Sequence, residues 1–471
     1  MKTKKVILAI AGIAVLVMLI GGVIVLYSKN QGESEQEVEI EDASLFVAYT
    51  DCEYFKDVPA MLVENTQIDE AEDCGGDTWQ ICVDGTELSD YWDYLSTLEE
   101  AGFERHVDNG ETGLDNSVYN AMFQKDGLVV TVIHLEKMDK TYITANQGMP
   151  VSEHLLYSDS YKENEQQDAK TKLHMLELYM SGNSYIVQLK NGHFIVNDGG
   201  YEQDLPYLIE YLEDLAPEDE KPVIEAWIIS HAHEDHMGAF RSLYGSEYVK
   251  RIYVEGVYFN EPSAYVCAQL PATASVFDVL LTPTGLKTSE NETTSLYRMQ
   301  SGQRYFFDDI TIDVLFTQEQ LLLENYSGDF NETSTWLMYT IEGQKVLICG
   351  DADTGSMDAV MRIYDTEYFD LDVYSVFHHG INVFDKFTDF VTYKTALYTN
   401  YRIGSYHVND EYERAEANKH LQEKAEECMA WGDGTKILTF PYEVGTAEKL
   451  PLREWKYNAE PRENLLKTNK Q

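Results

Sequence analysis

The stretch Ile224-Glu225-Ala226-Trp227-Ile228-Ile229-Ser230-His231-Ala232-His233-Glu234-Asp235-His236 decides how this chain is read. An apolar, β-branched run passes straight into three histidines and an aspartate within six residues. No single helix or strand puts all four of those side chains on one face. They converge only where a strand ends and the chain turns. Imidazole nitrogen and carboxylate oxygen are the donors that hold zinc, manganese or iron, so the stretch reads as a metal site rather than a polar surface turn.

The arrangement His-x-His-x-Asp-His resembles the signature of the metallo-β-lactamase-fold hydrolases. Upstream, Phe194-Ile195-Val196-Asn197-Asp198-Gly199-Gly200 is similar to that family's strand and Asp-Gly turn. Downstream follow Val346-Leu347-Ile348-Cys349-Gly350-Asp351 and Val376-Phe377-His378-His379-Gly380, so the elements come in the family's order over roughly residues 170–445. The resemblance implies an α/β fold, the αββα sandwich, and two divalent metal ions. Zinc is the first choice, with manganese or iron as alternatives. By the same resemblance His231 and His233 bind one ion, Asp235 and His236 the other, and Asp351 bridges them. One of His378 and His379 completes the second ion while the other lines the substrate pocket, and the sequence leaves open which does which. Asp198 is expected beneath the site, hydrogen-bonded to a ligand. Asp235, Asp351 and His379 are the expected catalytic residues. The implied chemistry is attack by a metal-activated hydroxide, with no Gly-x-Ser-x-Gly nucleophile turn to compete. The non-ligating member of the histidine pair is one candidate proton donor. His407 is another, although its solitary setting reads first as packing or surface.

One departure matters. The family commonly supplies a further ligand histidine between the first motif and the bridging aspartate, and residues 237–350 contain none. That region holds Asp329-Phe330-Asn331-Glu332-Thr333-Ser334, similar to an Asn-x-x-Ser element of two branches: hydrolase domains of DNA-uptake channel proteins, and surface phosphorylcholine esterases. Asp329 is the expected oxygen ligand to the ion of His231 and His233, with Asn331 next and Ser334 in support. An ordinary turn before a strand accounts for these residues equally well. The element points to ester or phosphodiester hydrolysis rather than β-lactam opening. Two further readings stand beside this one: a binding or sensing ectodomain that kept the fold without efficient turnover, and a competence-type DNA-processing domain.

Composition bears on the last of these. With 82 acidic against 35 basic side chains the net charge is −47, and phosphate backbones demand the opposite sign. The expected partner is a small-molecule or surface-polymer substrate, not nucleic acid. Residues 6–27 are apolar apart from glycines and follow Lys2, Lys4 and Lys5. As a helix this run spans about 33 Å, enough for a bilayer. It is expected to be an uncleaved transmembrane signal anchor, with residues 1–5 cytoplasmic and the rest extracellular, a single-pass cell-membrane protein.

The layout that follows is an acidic stalk at 28–44, a small α+β domain at 45–148, a linker at 149–170, the hydrolase domain at 171–450 and a tail at 451–471. The small domain carries no catalytic constellation, and docking or substrate recognition is its functional reading. In it a helix is expected at 91–101, and strands at 119–124 and 128–135 flanking Lys125-Asp126-Gly127. Beyond it, strands are expected at 184–189, 193–197, 224–229, 251–255, 304–307, 310–316, 335–341, 345–349 and 373–377. Helices are expected at 205–215, 272–281, 354–364 and 414–431. Cys74 and Cys82 are close enough in sequence to pair, as is either with Cys52. His106 and His134 are isolated and read as solvated or packed, and His174, His193 and His420, without motif support, are assigned no role.

Overall fold

The computed structural model describes residues 51–156, 169–260, 294–318, 330–404 and 412–454, except positions 65, 69, 219, 245 and 382, together with two-residue strands before residue 48. The expected anchor at 6–27, the stalk, most of 149–170, the expected helix at 272–281, Asp329 and His407 lie wholly or largely outside the described residues. Among the described residues no helix is long and apolar enough to cross a membrane. The chain separates into two units, 1–47 and 48–471. In the first, Val6–Ile7 pairs with Glu37–Val38 and Met18–Leu19 with Ile24–Val25.

The second unit begins with an antiparallel sheet. Its main strands are β1 (Thr78–Asp84), β2 (Glu104–Asp108), β3 (Val118–Lys125), β4 (Leu128–Leu135) and β5 (Lys140–Gln147), ordered β1-β5-β4-β3-β2. Between β3 and β4 the chain turns on Asp126 and Gly127, at φ 51° and 83°. Two left-handed residues match the twist of a tight hairpin, and an Asp-Gly pair adopts them at little cost. Helix α1 (Leu88–Glu100) buries Tyr91, Leu95 and Leu98, one face at helical spacing, and Gly102 at φ 87° follows its end.

Two larger sheets follow. The first has β6 (Lys172–Met175), β7 (Ser184–Gln188), β8 (Phe194–Asp198), β9 (Val223–Ile229), β10 (Gly256–Phe259), β11 (Ser295–Arg298) and β19 (Lys436–Thr439), in the order β11-β10-β9-β8-β7-β6-β19. The second runs in sequence order: β12 (Arg304–Phe307), β13 (Ile310–Phe316), β14 (Trp336–Ile341), β15 (Gln344–Ile348), β16 (Asp370–Ser375), β17 (Thr392–Tyr398) and β18 (Glu427–Ala430). Strands β8 and β9 are parallel neighbours in one sheet, and β15 and β16 in the other. Their carboxyl ends carry the motifs.

Strand alternation explains the layering. In β14, Leu337, Tyr339 and Ile341 enter a core shared with the first sheet, whereas Trp336 and Met338 enter a second core. That second core is completed by α4 (Thr354–Ile363), α5 (Asp385–Phe390) and α6 (Tyr412–Lys424). On the first sheet α2 (Leu205–Leu215) and α3 (Glu234–Leu243) complete the other side. Strands buried on both faces read as continuous apolar runs rather than alternating ones. Tyr339 donates across the sheets to Asn197 at 2.9 Å, and Tyr185 to Ser375 at 2.9 Å.

Two expectations are corrected. Among the described residues Cys52, Cys74 and Cys82 form no disulfide. Cys74 belongs to the inter-sheet core and Cys82 to the core around α4, so their thiols serve different layers. The helix expected at 414–431 ends at Lys424, and Glu427–Ala430 is an edge strand parallel to β17. The antiparallel sheet also packs firmly on the larger sheets, within the one compact unit 48–471. Asn109 donates to Gly302 O at 2.9 Å, Asn120 to Ser301 O at 2.8 Å, and Arg298 to Cys74 O at 2.8 Å.

Candidate metal centre

Four strand ends build the site. Strand β8 ends at Asp198, which is buried and sits at φ 60°. Its carboxylate accepts from Ser230 N at 2.8 Å, Ser230 Oγ at 2.8 Å and Asn183 Nδ2 at 2.6 Å, and it meets His236 Nδ1 at 2.9 Å. It therefore holds both the start of the histidine motif and one of its rings. After β9, His231 lies in the extended link and His233 stands at the N-cap of α3. Asp235 and His236 then fall in the first helical turn. A helix, not an irregular turn, thus carries the second half of the motif.

From the other sheet, β15 ends at Cys349-Gly350-Asp351. Gly350 sits at φ 53°, and a side chain there would meet Ser230 Oγ at 2.7 Å, so the two sheets close on each other only with glycine. Asp351 N donates to Ser334 Oγ at 3.1 Å. Ser334 of the Asn-x-x-Ser element thereby fixes the backbone of Asp351, and Thr335 N donates across to Ser230 O at 3.0 Å. Glu332, which sequence reasoning passed over, accepts from Gly355 N and Ser356 N at the start of α4. Asn331 is buried in the turn Phe330–Thr333. Asp329 lies outside the described residues.

Beyond β16, His378 and His379 both adopt left-handed backbone, at φ 46° and 55°. Two such residues in succession cost roughly 1–2 kcal/mol each, a strain tolerated where the surroundings over-determine it. Asn400 Nδ2 holds His379 O at 2.9 Å, and Asn418 Nδ2 holds Gly380 O at 2.8 Å. Thr399 Oγ1 lies 2.8 Å from His379 Nδ1, which fixes the ring and leaves Nε2 directed at the carboxylates. Neither Thr399 nor Asn400 belongs to a recognisable motif, and only their place at the end of β17 marks them.

The donors sort around Asp351. On its Oδ1 side, His236 Nε2 lies at 3.0 Å and His379 Nε2 at 3.4 Å, with Asp235 Oδ2 3.1 Å from His379 Nε2. On its Oδ2 side, His378 Nε2 lies at 3.4 Å and His231 Nε2 at 3.9 Å, with His233 Nδ1 3.0 Å from His231 Nε2. Donors sharing one tetrahedral ion at 2.0–2.2 Å stand about 3.3–3.6 Å apart, so both groups suit a cation. His236 Nε2 and Asp351 Oδ1 are both buried and face each other, a pairing whose atoms are of the type that hold a divalent cation. Of the histidine pair, His379 groups with Asp235, His236 and Asp351, and His231 and His233 group with Asp351.

The clustered carboxylates and imidazoles shift one another strongly. Burial penalises charge on His236, yet Asp351, Asp198 and Asp235 outweigh it and hold the imidazole well above its usual range. His379 behaves alike: burial opposes its charge, Asp351 and Asp235 win, and its pKa rises to about 9. Asp351 stays well below the carboxylate range because His236, His378 and His379 overcome its burial. His231 is pushed well down by burial and by neighbouring His236 and His233.

The remaining described histidines stand apart. His174 faces Tyr211 Oη at 2.7 Å, His193 pairs with Glu225 at 2.7 Å, and His420 with Asp389 at 2.8 Å. His106 meets Gln124 at 2.8 Å.

Residues 179–382 match the family described as the Metallo-beta-lactamase superfamily, so this stretch is a domain of that superfamily. No curated protein matches the chain.

Proposed function

We propose that this protein is a metal-dependent hydrolase acting on an ester or phosphodiester of a small or surface-linked molecule. The observation that carries the reading is the convergence on Asp351 of two donor groups within a domain of the Metallo-beta-lactamase superfamily. Two divalent cations, zinc first, would supply Lewis acidity toward a substrate oxygen and a water that ionises near neutral pH. Asp235, His236 and His379 would hold one ion, His231 and His233 the other, and Asp351 both. Hydrolysis joins the oxygen of water to carbon or phosphorus and breaks the bond to the leaving oxygen, which takes up a proton. Asp235, more exposed than Asp351, is placed to accept a proton from the attacking water at Oδ2. Thr399 and Asp198 keep the rings of His379 and His236 in the required tautomers.

Phosphodiester or ester cleavage is favoured over β-lactam opening by the Asn331 to Ser334 element and by the absence of histidine from 237–350. The apolar run at 6–27 after three lysines supports an outward-facing, membrane-anchored enzyme. The test is metal analysis of the purified chain, with chelator-sensitive hydrolysis of bis(4-nitrophenyl) phosphate and 4-nitrophenyl esters. Two metal equivalents and chelator-sensitive turnover support the proposal; a chain that binds no divalent ion sinks it. The thinner donor set at His231 and His233 favours one second reading, a binding or sensing protein that retains the fold. That protein would bind metal and ligand without turnover.

A further inference from the structure

We propose that His378 is the third imidazole ligand, beside His231, His233 and the carboxylate of Asp351, of one of the two ions. The inference rests on the metal-dependent reading above and deepens it. Without His378 that ion would have two imidazoles and one oxygen of Asp351, the three-ligand minimum of a catalytic site, and room remains for one more donor. His378 Nε2 stands 3.4 Å from Asp351 Oδ2, the oxygen that faces His231, whereas His379 and His236 face Oδ1. That spacing is about what two donors on one tetrahedral ion require.

The backbone points the same way. Only the consecutive left-handed turns at His378 and His379 send neighbouring rings to opposite oxygens of a single carboxylate. His378 N donates to Gly350 O at 3.2 Å, tying the turn to the strand end that bears Asp351. The pair therefore divides its work: His379 serves one ion and His378 the other. Support differs between them. His379 Nδ1 is held by Thr399, while His378 Nδ1 is buried without a hydrogen bond. The ion on the His378 side is accordingly the more weakly held and leaves first under a chelator.

The test uses the full chain, loaded with zinc and separately with cobalt. Wild type should bind two equivalents. His378→Asn, whose side chain tolerates left-handed backbone, and His378→Ala should keep one ion at unchanged affinity and bind the other at least about tenfold more weakly. Loss of a nitrogen donor should also weaken the visible cobalt bands of one site only, which a purely packing role would not do. Asp329→Ala should leave both ions in place. Two ions at unaltered affinity in both His378 variants overturn the proposal, as does loss of the weaker ion in Asp329→Ala but not in His378→Asn. Wild type that binds no metal removes the hydrolase reading together with this one, whereas wild type with two ions and unaffected His378 variants removes this one alone.

Discussion

The first antiparallel sheet and the two larger sheets that follow it both bury histidine, and they treat it in opposite ways. His134 in β4 is fully buried with both nitrogens engaged: Nδ1 meets Thr141 Oγ1 at 3.0 Å and Nε2 meets Glu136 at 3.1 Å. Burial dominates and lowers its pKa. His236 is equally buried, but its Nε2 faces a carboxylate, Asp351 Oδ1 at 3.0 Å, rather than a partner within a ladder. His134 lies in a ladder, opposite Tyr119 and Thr141, where neighbouring strands supply its partners. His236 lies past a strand end, where two sheets meet and the donors face each other across a gap. Burial of a histidine is therefore not the mark of a site; convergence of several imidazoles and carboxylates at strand ends is.

The most severe way to break this contrast is at Asp351. Asp351→Ala should abolish metal-dependent hydrolysis and lower metal content toward zero, since both donor groups share its carboxylate. His134→Gln should leave two ions bound. Equal metal content in wild type and Asp351→Ala would overturn the bridging role.

His174 extends the contrast into the larger sheets, for it also lies in a ladder, in β6. Burial, assisted by nearby Lys172, pushes its pKa down to about 3. The unfolded chain takes up this proton near pH 6.5 and the folded chain does not. Stability from this group is thus complete above about pH 6.5 and falls as pH drops toward 3, by roughly 1.4 kcal/mol per unit. Urea unfolding of His174→Phe across that range should show a slope smaller by one proton. An unchanged slope would mean that His174 is protonated in the fold.

Thr399 tests the support of a ligand. Thr399→Ala should weaken the ion of His379 about 10–100-fold, and Thr399→Ser should restore it. Competition with a chromophoric chelator reads this directly, and equal affinity for Ala and wild type would dismiss the hydrogen bond as incidental.

The smallest effect is expected where the first sheet touches the larger ones. Asn120→Ala removes a buried bond to Ser301 O and should cost about 1 kcal/mol of stability, with metal stoichiometry unchanged. A change in metal affinity would show that the first sheet acts on the centre.

Much of this was legible in residues alone. The strands at 304–307 and 310–316 and the helix at 205–215 match the observed bounds, because their apolar spacing is dense and their ends carry turn residues. The helix expected to 431 overran because the run after Lys424 keeps an apolar character that an edge strand uses equally well. The disulfide reading failed because separation in sequence says nothing about which face of a sheet a cysteine takes.

The sequence by itself determined that His231, His233, Asp235 and His236 lie close together, because a strand running into a turn places consecutive residues within one another's reach. It also determined the motif order that implied a sandwich. Only the tertiary structure decided that Asp351 sorts His379 to one oxygen and His378 to the other, that Ser334 fixes Asp351, and that Thr399 fixes His379. Those contacts join residues from the ends of different strands in two packed sheets. Their distances follow from sheet packing and left-handed turns, which no local pattern of residues encodes.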